Sequence, residues 1–371
     1  VGDWSRTHRK SEVKSPFELK GAFMRKWILF TAGVVGIFLI QPSAAQNPNS
    51  GPKPNQAAAG KPVVRLDPAL DELISADAEF QKIKDGFGFT EGITWVQKRG
   101  QSGYVLFSDM WTNQIYKLTP EGQLSLYLDH SGYTGFDIWR VGMASPGQAP
   151  DERKWYLIGS NGLALDREGR LLIATNSGAS IDRIEKNGKR TILADRYDGN
   201  RMTGSNDIIV KKDGAIYATA GAGDVRGVFM IKDGKVSVAV KDMPAVNGLA
   251  FSPDEKYLYV NASVRNFVRR YEVQPDDTVT NGKMFFDLQD NKAPGITDGM
   301  KVDTKGNVWE TAPGPAIVVI SPEGKHLGTI RLPEICANLS FGDTDSKALY
   351  VACRTTIYKI RVKTPGIRYS Y

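Results

Sequence analysis

Short apolar runs alternate with polar positions along most of this chain, and one arrangement of them returns six times. Each copy opens on Asn, Asp or Glu, runs into a small apolar strand, crosses a polar turn and comes back as a second apolar strand. The copies read EGITWVQKRGQSGYVLFSD from Glu91, NGLALDREGRLLIAT from Asn161, NDIIVKKDGAIYATA from Asn206, NGLAFSPDEKYLYVNA from Asn247, DGMKVDTKGNVWETA from Asp298 and NLSFGDTDSKALYVAC from Asn338. Alternation with period two predicts strands, and a repeat of about 40–50 residues made of short strands predicts a β-propeller. Further strands follow the copies, joined by Glu-Gly, Asn-Gly and Asp-Gly turns of hairpin type. The expected fold is therefore all-β, a six-bladed β-propeller with four-stranded antiparallel blades. The last copy has only three strands before the chain ends. Residues around Phe80 to Gly86 are expected to supply its outer strand and close the ring from the N-terminal side, which removes an open sheet edge.

The chain has 371 residues, and the pattern occupies only part of it. Met24-Arg25-Lys26, the apolar run Trp27 to Ile40 and Ser43-Ala44-Ala45 read as a signal peptide over residues 24–45, with a charged start, an apolar centre and a small-residue cleavage site. The run is shorter than the ~20 residues of a spanning helix, and an uncleaved anchor is the alternative. Residues 1–23 read as sequence upstream of the true start. Residues 46–63, rich in Pro, Asn, Gly and Ala, read as a disordered linker, and residues 64–371 as the propeller domain. A periplasmic or secreted location follows, without stable membrane association after cleavage. The net charge of +7 includes seven Lys or Arg against three Asp or Glu in residues 1–45, so +3 remains once that segment is removed. That balance gives no reason to expect a nucleic-acid partner.

In a propeller the innermost strands line a central channel, and their first residues share one mouth. Glu91, Asn161, Asn206, Asn247, Asp298 and Asn338 are thus candidates for one ring. A single Asx before Gly is most often a turn residue; six equivalent polar positions point to a polar channel or a bound cation. Carboxylate and amide oxygens without His or Cys suit Ca²⁺ better than Zn²⁺, although Zn²⁺, Mn²⁺ and Mg²⁺ stay open. His326 sits in an outer turn, whereas His130 follows blade one and is a candidate to approach a substrate. Between blades one and two lies an insert of about residues 131–160, with Tyr133, Phe136 and Trp139. It reads either as a pocket wall or as a packed surface excursion. The two cysteines, Cys336 and Cys353, come near each other if Phe341 pairs with Leu349. They form either a disulfide or two buried thiols.

The segments EGITW, LFSDMWTNQIYK, GSNGLALDREGRLL, SNDIIVKKDGAIY, NGLAFSPDEKYLYV, TDGMKVDTKGNVW and ANLSFG, in that order, resemble the regucalcin (senescence marker protein)/gluconolactonase/luciferin-regenerating family of six-bladed propellers. The resemblance runs from about Phe87 to Val362. It implies a metal site of Glu91, Asn206, Asn247 and Asp298, with Asn161 facing the substrate and Asn338 structural. It also implies hydrolysis of lactones or other cyclic esters, with Asp298 as the base and with Asn161 and Asn206 orienting a small-molecule substrate. The chain departs from the family's usual segments at NRMTGSND (Asn200 to Asp207), ATAGAGD (Ala218 to Asp224) and NSGASIDR (from Asn176), while the ring residues themselves are retained. A non-catalytic propeller that binds a small ligand or a protein is the alternative. Another chemistry on the same scaffold, as in strictosidine-synthase-like relatives, is the third.

Overall fold

Every copy of the repeat forms the two inner strands of an antiparallel sheet. The structure, a computed structural model, describes residues 61–97, 100–135, 157–202, 204–221 and 225–367. The innermost strands are Thr90–Val96, Ser160–Leu165, Ser205–Val210, Val246–Phe251, Met300–Val302 and Cys336–Gly342, in blades one to six. Neighbouring inner strands touch in that order, and the sixth touches the first, so the blades close into a ring. The fold is the six-bladed β-propeller expected from the repeat. No helix among the described residues is long and apolar enough to cross a membrane.

The strands alternate because each blade presents apolar side chains to both neighbours. Each blade interface accordingly carries its own apolar cluster. Trp309, Ile317, Leu339 and Val351 lie between blades five and six, and Ile93, Phe107, Tyr350 and Ala352 between six and one. Equivalent clusters fill the other four interfaces. Burial of this kind contributes about 1.5–3 kcal/mol for each large apolar side chain.

Closure follows the expectation and goes further. Gln81–Asp85 pairs antiparallel with Thr356–Arg361 and becomes the outer strand of blade six. A second N-terminal strand, Val63–Arg65, pairs with His326–Arg331 and gives blade five a fifth strand. Between them Asp67 caps the 3-10 turn Pro68–Glu72 by accepting the Ala69 N–H. Leu70, Leu73 and Ile74 from this segment are buried in the cluster between blades five and six. The N-terminal segment thus clasps both blades flanking one interface. In blade six Phe341 stands opposite Leu349 and Cys336 opposite Cys353, and the two cysteines form a disulfide. The signal segment, the linker up to residue 60, Phe136 and Trp139 lie outside the described residues.

Candidate metal centre

The ring positions are made by a repeated local distortion. In blades one to four the pairing of the two inner strands shifts register between Glu91 and Thr94, Ser160 and Leu163, Ser205 and Ile208, and Val246 and Leu249. Each irregularity contains or begins at a ring residue, and such bulges re-aim side chains. Asp298 lies just before Met300–Val302, its N–H donating to Thr311 O at 3.3 Å. In four of the six copies the polar residue is followed by Gly, and the packing explains why. A Cβ on Gly92 would fall 1.8 Å from Asn161 O, and one on Gly248 2.1 Å from Asp298 O. Adjacent inner strands therefore approach each other too closely for any side chain there.

The structure gathers Glu91, Asn161, Asn247 and Asp298 as buried residues, with Asn206 half-buried. Four of their oxygens are buried without a hydrogen-bond partner: Asn161 Oδ1, Asn206 Oδ1, Asn247 Oδ1 and Asp298 Oδ1. Buried acceptors are rarely left unpaired, because each loses its water without compensation. Glu91 Oε2 accepts the Gly92 N–H at 3.1 Å. Burial, reinforced by repulsion from Asp207, pushes the Glu91 carboxyl up to about 8, while Gly92 N–H, Asn338 and Lys301 pull it down. Burial and then the charges of Glu91 and Asp207 hold Asp298 well above the usual carboxylate range, with Asn247 opposing. Unpaired amide oxygens beside mutually repelling carboxylates suit a hard divalent cation with oxygen ligands. No group of three or more His, Cys, Asp or Glu side chains converges on a metal position among the described residues, so amide oxygens must complete any such ligand set.

Residues outside the expected set complete the site. Asp207 is buried; its Oδ1 accepts the Ile208 N–H at 2.9 Å, and its Oδ2 has no hydrogen-bond partner. Its sequence signal is Asp in a place that four other copies give to Gly. Lys301 Nζ lies 3.9 Å from Asp207 Oδ2 and 3.5 Å from Asn338 Oδ1. Asn338 accepts the Leu339 N–H at 2.9 Å, and its amide favours the charged forms of both Glu91 and Asp207. Glu310, fully buried, accepts from Asn261 Nδ2 at 2.9 Å. The same amide nitrogen donates to Asp298 O at 2.5 Å, and Asn261 Oδ1 accepts the Gly248 N–H at 3.0 Å. Asn261 thus joins the backbones beside two ring residues. His130, by contrast, follows the outermost strand of blade one, half exposed, with its Nδ1 3.0 Å from Asp129 Oδ2. The structure places it on the outer edge of the blade rather than with the ring.

Fold and site together define a six-bladed propeller whose inner strands present a ring of buried oxygens. The family profile for the SMP-30/Gluconolactonase/LRE-like region matches residues 89–355, and the chain belongs to that family. A gluconolactonase from Zymomonas mobilis is 28% identical over 335 residues, covering 84% of this chain and 89% of the relative. A gluconolactonase structure from Xanthomonas campestris superposes with a TM-score of 0.68 at 23% identity, over 83% of this chain and 96% of the other. A regucalcin from Agrobacterium tumefaciens, described as a calcium-binding protein, gives 0.59 at 18%, over 78% and 98%. At these identities the two structures speak for the fold alone.

Proposed function

We propose that this protein hydrolyses lactones or related cyclic esters with one divalent cation, Ca²⁺ in the first instance, held by Glu91, Asn206, Asn247 and Asp298. The observation that carries the reading is the set of buried, unpartnered oxygens on Asn161, Asn206, Asn247 and Asp298. The gluconolactonase relative that matches 84% of the chain supports the substrate class. When bound, the cation supplies polarisation of the ester carbonyl and acidification of water. The protein's own part is to hold and orient. Asn161 Oδ1 accepts a hydrogen bond from a substrate hydroxyl, and Asn206 fixes the ring from the neighbouring strand. Asp298 Oδ1 takes the proton of the attacking water. Buried surroundings strengthen each of these interactions. We also assign residues 24–45 to export and the propeller to the periplasm or the extracellular space.

The test is a panel of sugar lactones and simple cyclic esters. Turnover should require added divalent cation, disappear with chelator and fall at least about a hundredfold in Asp298→Ala. Cation binding with no turnover of any lactone would refute the enzymatic reading.

A further inference from the structure

Three carboxylates, Glu91, Asp207 and Asp298, influence one another electrostatically inside the ring. The proposed ligand set uses two of them. The third, Asp207, is 2% exposed, and its Oδ2 has no hydrogen-bond donor. The cation facing it is the Lys301 ammonium, 3.9 Å away. That side chain is only a quarter exposed and is pinned by Met300 O at 2.9 Å and Asn338 Oδ1 at 3.5 Å. Gly299 makes room for the arrangement, since a Cβ at that position would meet Asn338 Oδ1 at 2.3 Å.

We propose that Lys301 is a built-in cation of the channel, neutralising Asp207 so that the ring keeps the charge of Glu91 and Asp298 for one divalent ion. Glu91, Asp207 and Asp298 would carry three negative charges against two on a divalent cation, the buried Glu310 near Asp298 being held neutral by its own burial. One tethered ammonium restores the balance, and an unbalanced buried charge is what such a site must avoid. Asn338 carries the coupling, because it accepts from Lys301 at 3.5 Å and its amide favours the charged forms of Glu91 and Asp207. Lys301 is thus a positioning residue that sets the affinity and the number of ions taken. This inference rests on the cation reading given above.

The experiment is a double-mutant cycle on the full chain, with Ca²⁺ titrated calorimetrically into metal-free protein and thermal melts recorded in chelator. Lys301→Met should tighten Ca²⁺ binding about tenfold, and Asp207→Asn should weaken it by a similar factor, as expected for one unit charge near a cation. The double variant should return close to wild type, whereas Lys301→Arg should change little. In chelator, Lys301→Met should lower the melting temperature, and Asp207→Asn in that background should restore it. Unchanged or weaker Ca²⁺ binding by Lys301→Met, or a double variant whose affinity stays tenfold away from wild type, would overturn the proposal. If Lys301→Met does not fold, the double variant must still fold and bind; its failure also counts against the proposal. Absence of Ca²⁺ binding by the wild type would instead remove the cation reading on which the inference rests. Loss of compensation in the melts would remove the Lys301–Asp207 pairing itself.

Discussion

Glu310→Gln should flatten the pH dependence of stability in the metal-free protein. Glu310 is 0% exposed; its Oε1 accepts from Asn261, and its Oε2 has no partner. Burial pushes its carboxyl up to about 8, against a weaker pull from Asn261. The unfolded chain releases this proton near pH 4.3, so between about pH 4.3 and 8 the folded state holds a proton that the unfolded state lacks. Stability from this group is therefore complete below the unfolded value and is lost as pH rises through the folded one. Each pH unit costs about 1.4 kcal/mol, and the interval amounts to about 5 kcal/mol. Glutamine keeps the shape and the oxygen that accepts from Asn261 but cannot ionise. Its advantage over wild type should therefore grow by about 5 kcal/mol from pH 4.3 to pH 8. Urea unfolding in chelator at half-unit pH steps reads this directly. Parallel profiles for the two proteins would refute the claim that Glu310 is a buried, proton-holding acid.

Two further perturbations probe the framework. Gly92→Ala drives a methyl group to within 1.8 Å of Asn161 O at a residue with φ of 49°. It should cost about 3 kcal/mol or more, seen as a lowered urea midpoint, and an unchanged midpoint would contradict the close packing of inner strands. Replacing both Cys336 and Cys353 by Ser opens a link between residues 17 apart in sequence. The chain-entropy account expects a loss of about 3 kcal/mol; equal thermal stability of variant and oxidised wild type would count against it.

The blades were legible because six copies of one phrase repeat the same constraint. Each opening residue falls at an inner-strand bulge or just ahead of the strand, and each apolar half faces a blade interface. The closing strand Gln81–Asp85 was legible for a related reason, since blade six lacked a fourth strand. Val63–Arg65 was not, because three residues beside a Pro- and Gly-rich segment carry no periodicity of their own. The charged members of the site were hidden by the rule that charges in strands face water. Lys301 and Glu310 obey the alternation of their strands, yet they turn inward, where only three-dimensional closure supplies Asp207 and Asn261 as partners. His130 shows the reverse error. Nearness in sequence to an insert suggested a pocket, while the chain at that point was ending an outer strand.

The most direct measurement of the central claim is Ca²⁺ binding to the metal-free chain, read by calorimetry and by the shift in thermal stability, for wild type and Asp298→Asn. The account predicts one Ca²⁺ per wild-type chain, with about 2.7 kcal/mol of added stability at a hundred times the dissociation constant. It also predicts that Asp298→Asn loses both signals while remaining at least as stable as wild type in chelator, because a buried, repelled carboxylate has gone. A wild-type protein that binds no divalent cation, or an Asp298→Asn variant that binds as tightly as wild type, would contradict it.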